Sequence, residues 1–572
     1  MSALNNPASR GAPLQQPRRS NKRKRTLPPQ HQIPLQVAAT SPAAVYRVGE
    51  RSKGLPLAVV HVILGYLDDL GDLARVTRAS KLLYYMTLPR LYERVTLRSY
   101  TEMRYRDGRP EGFGGGSPFA AALDGLASRG YAGYVKRLRL CGEWKEVDVE
   151  DFRRGRVPDN TMMLNIVVKA AVEKMVNLRA FSWELNTKPL STVYQGLASH
   201  QLTSLTLKFP KSRIPRPSVV IPAIPTLLYL HLIDIDPLCY PDDVSVLLLH
   251  AQKLQDLRLE WSARIREERE TSVSLHSYFG RCVAAGVKLQ LQHISFKNLY
   301  AREDSVIKRA VDLTKLESMT MINGIDRSDP TTVFVDNTWR ADPEHLKAVK
   351  SLKRYRSDRI NFGASSPITV FSGLEEIYMV SAAQTTPPTP APSDATSPVS
   401  PASAPLSVPD CVNAASDFIA AVITRHGCTI KKLLLPDRWP LSITAVKQLL
   451  ASCPQLEQLG VALEDPGFEP TAALMAAAPR LKALRVLVRS GPFWDLFNRI
   501  GVEMHAVGIG VRLGKVEGLR WIGVGTHCFE IGDEVDGETG RKAVRVVGFE
   551  EACRTLEIFA MDSRDIGGGE IF

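Results

Sequence analysis

Cysteine is scarce in this sequence: eight residues scattered over 572 positions. That is too few and too dispersed for a disulfide framework, and it suits a reducing compartment, cytosol or nucleus. Long apolar runs are missing as well. The best, Leu55–Leu67 (LPLAVVHVILGYL), is 13 residues long, short of the ~18 that a membrane helix needs, so no membrane partner is expected. The start of the chain has no apolar signal core, and secretion is not expected. Catalytic signatures are absent too, with no HExxH, no CxxC and no GxSxG. The nearest look-alike of a phosphate loop, Gly510–Val516, has three residues between its glycines instead of four. It also has Val516 where a hydroxyl would hold Mg²⁺. Cys411, Cys428 and Cys453 lack metal-pair spacing and read as buried structural thiols. The expectation is a non-enzyme without cofactor or metal.

Acidic residues are nearly missing from the first 53 positions. Ten Lys/Arg face one acid, Glu50, in this stretch. It therefore carries +9 of the formal +13, leaving +4 for everything from residue 54 onward. With seven prolines and few large apolar residues, residues 1–52 cannot offset their ordering entropy and read as a disordered basic tail. Inside it lies RRSNKRKR, with Arg18, Arg19, Lys22, Arg23, Lys24 and Arg25. Such a run suits the acidic grooves of import receptors, which favours the nucleus over the cytoplasm; a solvated basic tail is the other reading. The nearly balanced remainder has no general call for nucleic acid, and no specific nucleic-acid partner is expected.

What is present begins at residue 53. Val59, Val60, Ile63, Leu64 and Leu67 recur at helical spacing, and Pro56 suits a first turn. Asp68, Asp69 and Gly71 break the pattern, and Asp72 is expected to cap a second helix with Leu73, Val76 and Ala79 on one stripe. A third helical run, Leu82–Leu88, is expected to end at Pro89. Three helices in about 40 residues make a small core that should lean on a partner or a neighbouring domain.

This segment, residues 53–98, resembles an F-box in the form common in fungal proteins. The matching positions are Leu55-Pro56, Val59, Ile63, Leu67, Asp72-Leu73, Val76 and Leu83-Tyr84. They continue with Leu88–Tyr92 and Val95-Thr96-Leu97. Ala58 stands where an acid is common, and Ser80 where a cysteine is common. The resemblance implies binding to the Skp-type adaptor of a cullin-based ubiquitin ligase through Leu55, Pro56, Val59, Ile63 and Leu67. Each aliphatic side chain buried there would contribute roughly 1.5–3 kcal/mol.

After a connecting segment, 99–134, with a glycine-rich loop, the pattern L-x-x-L-x-L recurs with conservative replacements from residue 135 to the end. It appears in VKRLRL (135), LRAFSW (178), LTSLTL (202), LLYLHL (227), LQDLRL (254), LQHISF (291) and LESMTM (316). It continues in LEEIYM (374), IKKLLL (430), LEQLGV (456), LKALRV (481), LRWIGV (519) and LEIFAM (556). Consecutive starts often lie 24–27 residues apart, the period of leucine-rich repeats. The fold class expected is therefore α/β, a short three-helix box followed by an irregular solenoid of parallel strands and helices over 135–572. No asparagine follows the strand motif where regular repeats place one; Pro210, Ile235 and Ser262 stand there instead.

Because strand side chains alternate faces, one row should point away from the helices. On it are expected Arg137, Arg139, Lys208, Tyr229, His231, Asp256, Arg258 and Glu260. His293, Lys297, Tyr378, Arg485 and Trp521 follow along the row. Mixed charge and aromatics suit a protein substrate. Residues 382–409 hold eight prolines and one charge, Asp394, and read as a disordered insertion. Thr386, Thr389, Ser397 and Ser400 each precede proline there, as phosphorylation sites or as parts of an unmodified linker. The acidic run Glu530–Glu538 reads as a solvated loop. The function expected is a substrate-recognition subunit of a Skp–cullin–F-box ligase; the alternative is a repeat scaffold for nuclear protein partners.

Overall fold

The computed structural model describes residues 55–567 apart from internal stretches, of which 323–348 and 382–407 are the longest. Arg18–Arg25 and the four serines and threonines of the insertion lie outside the described residues. The chain divides into two units, Met1–Ile63 and Leu64–Phe572.

The first unit holds the start of helix α1 (Leu57–Gly65). Pro56 stands just ahead of it, and its carbonyl accepts from the N–H groups of Val59 at 2.9 Å and Val60 at 3.1 Å. A proline fits there because the first N–H groups of a helix have no partner within it.

The second unit continues with α2 (Leu70–Val76) and α3 (Lys81–Leu91). Asp69, rather than the expected Asp72, caps α2, its carboxylate accepting from the Asp72 N–H at 2.8 Å. Asp72 instead pairs with Arg75 one turn on. Ser80 caps α3 by accepting from Leu83 N–H at 3.1 Å. Pro89 lies inside α3 and does not end it. In the last turn a proline removes one intrahelical bond, and the helix runs two residues further. The guanidinium of Arg90 then donates to the carbonyls of Leu64 and Leu67, which end the preceding turn. Tyr92 stacks on Tyr131 with ring centroids 4.4 Å apart, tying α3 to the following segment.

That segment opens a 17-stranded sheet. Strand β1 (Arg94–Ser99) is followed by a small separate hairpin, β2 (Tyr105–Arg106) and β3 (Arg109–Pro110). The sheet then proceeds through β4 (Arg137–Gly142), β5 (Ala180–Leu185), β6 (Ser204–Lys208), β7 (Tyr229–Ile235) and β8 (Asp256–Trp261). It continues with β9 (His293–Lys297), β10 (Ser318–Ile322), β11 (Arg354–Ser357), β12 (Glu376–Met379) and β13 (Lys432–Leu434). Short β14 (Pro440–Leu441), β15 (Gln458–Leu463), β16 (Ala483–Leu487) and β17 (Trp521–Val524) follow. Among the described residues of this 17-stranded sheet, every pairing from β1 to β17 is parallel and joins strands that are successive within the sheet, β14 sharing β15 with β13. This sequential parallel order is compatible with a solenoid-like α/β fold.

One face of each strand is apolar because the repeat places its last two large residues two apart. Leu138 and Leu140, Phe181 and Trp183, Leu205 and Leu207, and Leu257 and Leu259 are at most 1% exposed. They share one core with helix residues such as Val168, Val193, Leu247 and Phe279. Register is set just before each strand. The carbonyl of Lys136 accepts from Arg179 and Ala180, that of Arg179 from Thr203 and Ser204, and that of Thr203 from Leu228 and Tyr229. Side chains at this position alternate in sign along part of the sheet: Lys353 reaches Glu317 at 3.6 Å, Lys431 reaches Glu375 at 2.7 Å, and Lys482 reaches Glu457 at 3.0 Å.

Three further expectations are corrected. LEIFAM is no strand: Glu557–Ala560 is helical, and the edge it would have joined is taken by antiparallel β18 (His527–Val535) and β19 (Lys542–Val547). Glu530–Val535 of the acidic run is accordingly part of β18 and not a loop. One strand lies outside the thirteen motifs: β11 (Arg354–Ser357), in LKRYRS, buries Tyr355. Cys428 is exposed, because it lies just beyond the helix that ends at His426, whereas Cys453 is buried as expected.

Candidate functional site

Helix α1 is apolar nearly all round, yet of its nine residues only Leu64 is buried. Leu55 is 65% exposed, Val59 41% and Ile63 49%. Pro56 is also exposed and Leu67 half-buried. An apolar helix left this uncovered has the composition of an interaction surface.

The second surface is the sheet face turned away from the helices. At its β4 end Arg137 is half-buried, and Arg139 holds Glu184 in a bidentate pair at 2.8 and 2.6 Å. Lys208 is half-buried on β6. On β7 and β8, Asp256 pairs bidentately with Arg258, whose guanidinium lies 5.0 Å from the centre of the Tyr229 ring. His231 meets Tyr229 edge-on and is 4% exposed. Burial, with Arg258 beside it, pushes the His231 imidazole down to about 3, so the ring is neutral. Glu260 takes Lys297 from the next strand at 2.7 Å, and His293 is half-buried on β9.

Between β7 and β16 this face is covered in part by a later segment of the same chain. After β19 come helices Phe549–Thr555 and Glu557–Ala560, and the chain then crosses the sheet from β16 back to β7. Glu557 accepts from Lys432 and Gln458, each at 2.7 Å. Burial works against the Glu557 carboxylate, but these hydrogen bonds prevail and hold it below the usual range. Arg485 donates to the Ile558 carbonyl at 2.7 Å and pairs with Asp562 at 3.0 Å. Arg356 donates to the carbonyls of Met561 at 3.0 Å, Ser563, and Asp565 at 3.0 Å. Burial lowers the Arg356 guanidinium to about 10, against the pull of Asp565 and Asp562, and leaves it charged at neutral pH. Arg258 donates to the Ile566 carbonyl at 2.6 Å. Met561 packs on Tyr378, Leu434, Ala462 and Leu487, and Ile566 packs with Ile322 and Val380.

The residues expected on this face therefore divide. Arg137, Arg139, Lys208, Asp256, Glu260, His293 and Lys297 lie on β4–β9. Tyr378 and Arg485 are buried beneath the C-terminal strap, Tyr229, His231 and Arg258 sit at its far end, and Trp521 packs beside it against the cluster around Phe559. Sequence reasoning missed Arg356, Lys432, Gln458 and the strap itself. A signal was present: outward strand positions change from charged to apolar or small at Leu434, Gly460, Ala462 and Gly523. A Cβ on Gly523 would lie 2.5 Å from the Phe559 ring, so the small residue makes room for the strap.

Among the described residues no group of three or more His, Cys, Asp or Glu is placed to hold a metal ion, and no helix is long and apolar enough to cross a membrane. No family model matches this chain, and no curated protein matches its sequence.

Proposed function

We propose that this protein is a substrate-recognition subunit of a Skp–cullin–F-box ubiquitin ligase acting in the nucleus. Residues 53–98 serve as the F-box, and Leu55, Pro56, Val59, Ile63 and Leu67 dock on the Skp-type adaptor. The leucine-rich-repeat-like sheet captures a protein substrate and holds it near the transferring enzyme. The chain's contribution is then proximity, a raised effective concentration of substrate lysines, with no bond made or broken by its own residues.

The observation that carries this reading is α1, an apolar helix with Leu64 as its one buried residue. Several aliphatic side chains at roughly 1.5–3 kcal/mol each can outweigh association costs of order 4–15 kcal/mol. The test is purification of the full chain with the adaptor, against a Pro56→Ala/Ile63→Asp variant. The wild type is expected to bring down the adaptor and the variant to lose it while keeping its thermal transition. A wild type that brings down no adaptor leaves the repeat scaffold for nuclear partners as the better reading.

A further inference from the structure

The strap shows what this sheet face accepts. Its main-chain carbonyls at 558, 561, 563, 565 and 566 take hydrogen bonds from Arg485, Arg356 and Arg258. Carbonyls are common to every residue, so this part of the recognition reads backbone, one short helical turn followed by irregular chain, rather than a particular side chain. Selectivity comes from two further features. The carboxylates of Glu557 and Asp562 meet Lys432, Gln458 and Arg485. The apolar side chains of Phe559, Met561 and Ile566 enter clefts left by small or apolar outward residues.

Arg356 and Arg485 are each 5% exposed. Guanidinium groups so far from water need acceptors. This half of the face is therefore stable only when filled, and an incoming ligand must replace the strap with the same chemistry. The strap follows β19 and the helix Phe549–Thr555 and reaches Gly567 beside His231.

We propose that Glu557–Gly567 is the built-in occupant of a peptide-binding face, displaced by an acidic segment of a partner protein that takes the same short helical turn followed by irregular chain. That segment would carry carboxylates about five positions apart with a large apolar residue between them, as Glu557, Phe559 and Asp562 do. The proposal builds on the receptor reading above by naming the substrate's chemistry. Its test contains no adaptor, so either can fail alone.

The probe is a synthetic peptide with the sequence of residues 556–567, LEIFAMDSRDIG, and a control with its three acids changed to amides. Full-length wild type is followed by amide hydrogen exchange. The strap should exchange at least tenfold faster than β7–β9 under native conditions, and faster by a further tenfold with the acidic peptide but not with the control. A full-length Glu557→Gln/Asp562→Asn variant should bind the labelled acidic peptide at least tenfold more tightly than wild type. If the wild-type strap exchanges together with β7–β9, and neither peptide changes its exchange, the strap is a fixed part of the fold and the proposal is overturned. Equal effects of the two peptides overturn the acidic specificity.

Discussion

Arg485 and His231 show how the same burial has opposite consequences for two side chains on one face. The guanidinium of Arg485 keeps its charge because Asp562 and two carbonyls surround it. His231 has no partner on Nε2 and stays neutral. The sign of its effect on stability follows. An unfolded histidine takes a proton near pH 6.5, whereas the folded one resists until about 3. Between these values the unfolded state binds the extra proton, so stability falls as pH drops, by about 1.4 kcal/mol per pH unit from this group. In a His231→Gln variant the loss between pH 7.5 and 5 should be smaller than in wild type by about 2 kcal/mol, measured by urea unfolding at both pH values. An unchanged pH dependence would mean that His231 is protonated in the folded protein. The residue type was legible as an outward strand position; its burial was not, because the cover comes from residues more than 300 positions away.

At the scale of elements, periodicity explains most of what was legible. Twelve of the thirteen L-x-x-L-x-L matches are strands, because two large apolar residues two apart fit one face of a strand and the intervening chain suffices for a return. The thirteenth fails for a reason outside its own sequence. LEIFAM has the same apolar spacing, but the hairpin β18–β19 already occupies the sheet edge, and its Ile558 and Phe559 find burial on the other face instead. The α3 boundary lies beyond Pro89 because a proline in a final turn costs one bond and does not stop the helix. Gly523 is the element-level counterpart of the strap. Gly523→Ala sets a methyl group against Phe559 and should lower stability by about 1–3 kcal/mol, as overpacking does. Adding Phe559→Leu should recover part of that loss, seen in urea midpoints. A Gly523→Ala protein as stable as wild type would show that the strap helix moves aside at no cost.

For the second unit as a whole, the parallel array on its own is a chain of nearest-neighbour contacts, which unfolds with limited cooperativity as it lengthens. The strap adds interactions of another kind. It joins β16 to β11 and β8 through Arg485, Arg356 and Arg258. A chain ending at Leu556 should therefore unfold in transitions that differ between tryptophan fluorescence and far-ultraviolet circular dichroism, while the full chain gives coincident curves. Coincident curves for both would assign the cooperativity to the sheet alone.

The same strap sets a timetable for synthesis. Arg258 precedes Ile566 by 308 residues, which at 5–20 residues per second is roughly 15–60 s of translation. Throughout that interval the early strands can pair with one another, but their arginines wait for acceptors still to be made. Only when residues 558–566 emerge do β8, β11 and β16 all receive these acceptors. A copy cut short before residue 557 would keep buried-type cations facing water on β8, β11 and β16, a defect legible to chaperones and proteases far from the site of the truncation. The strap thus ties the completion of early strands to residues made long after them.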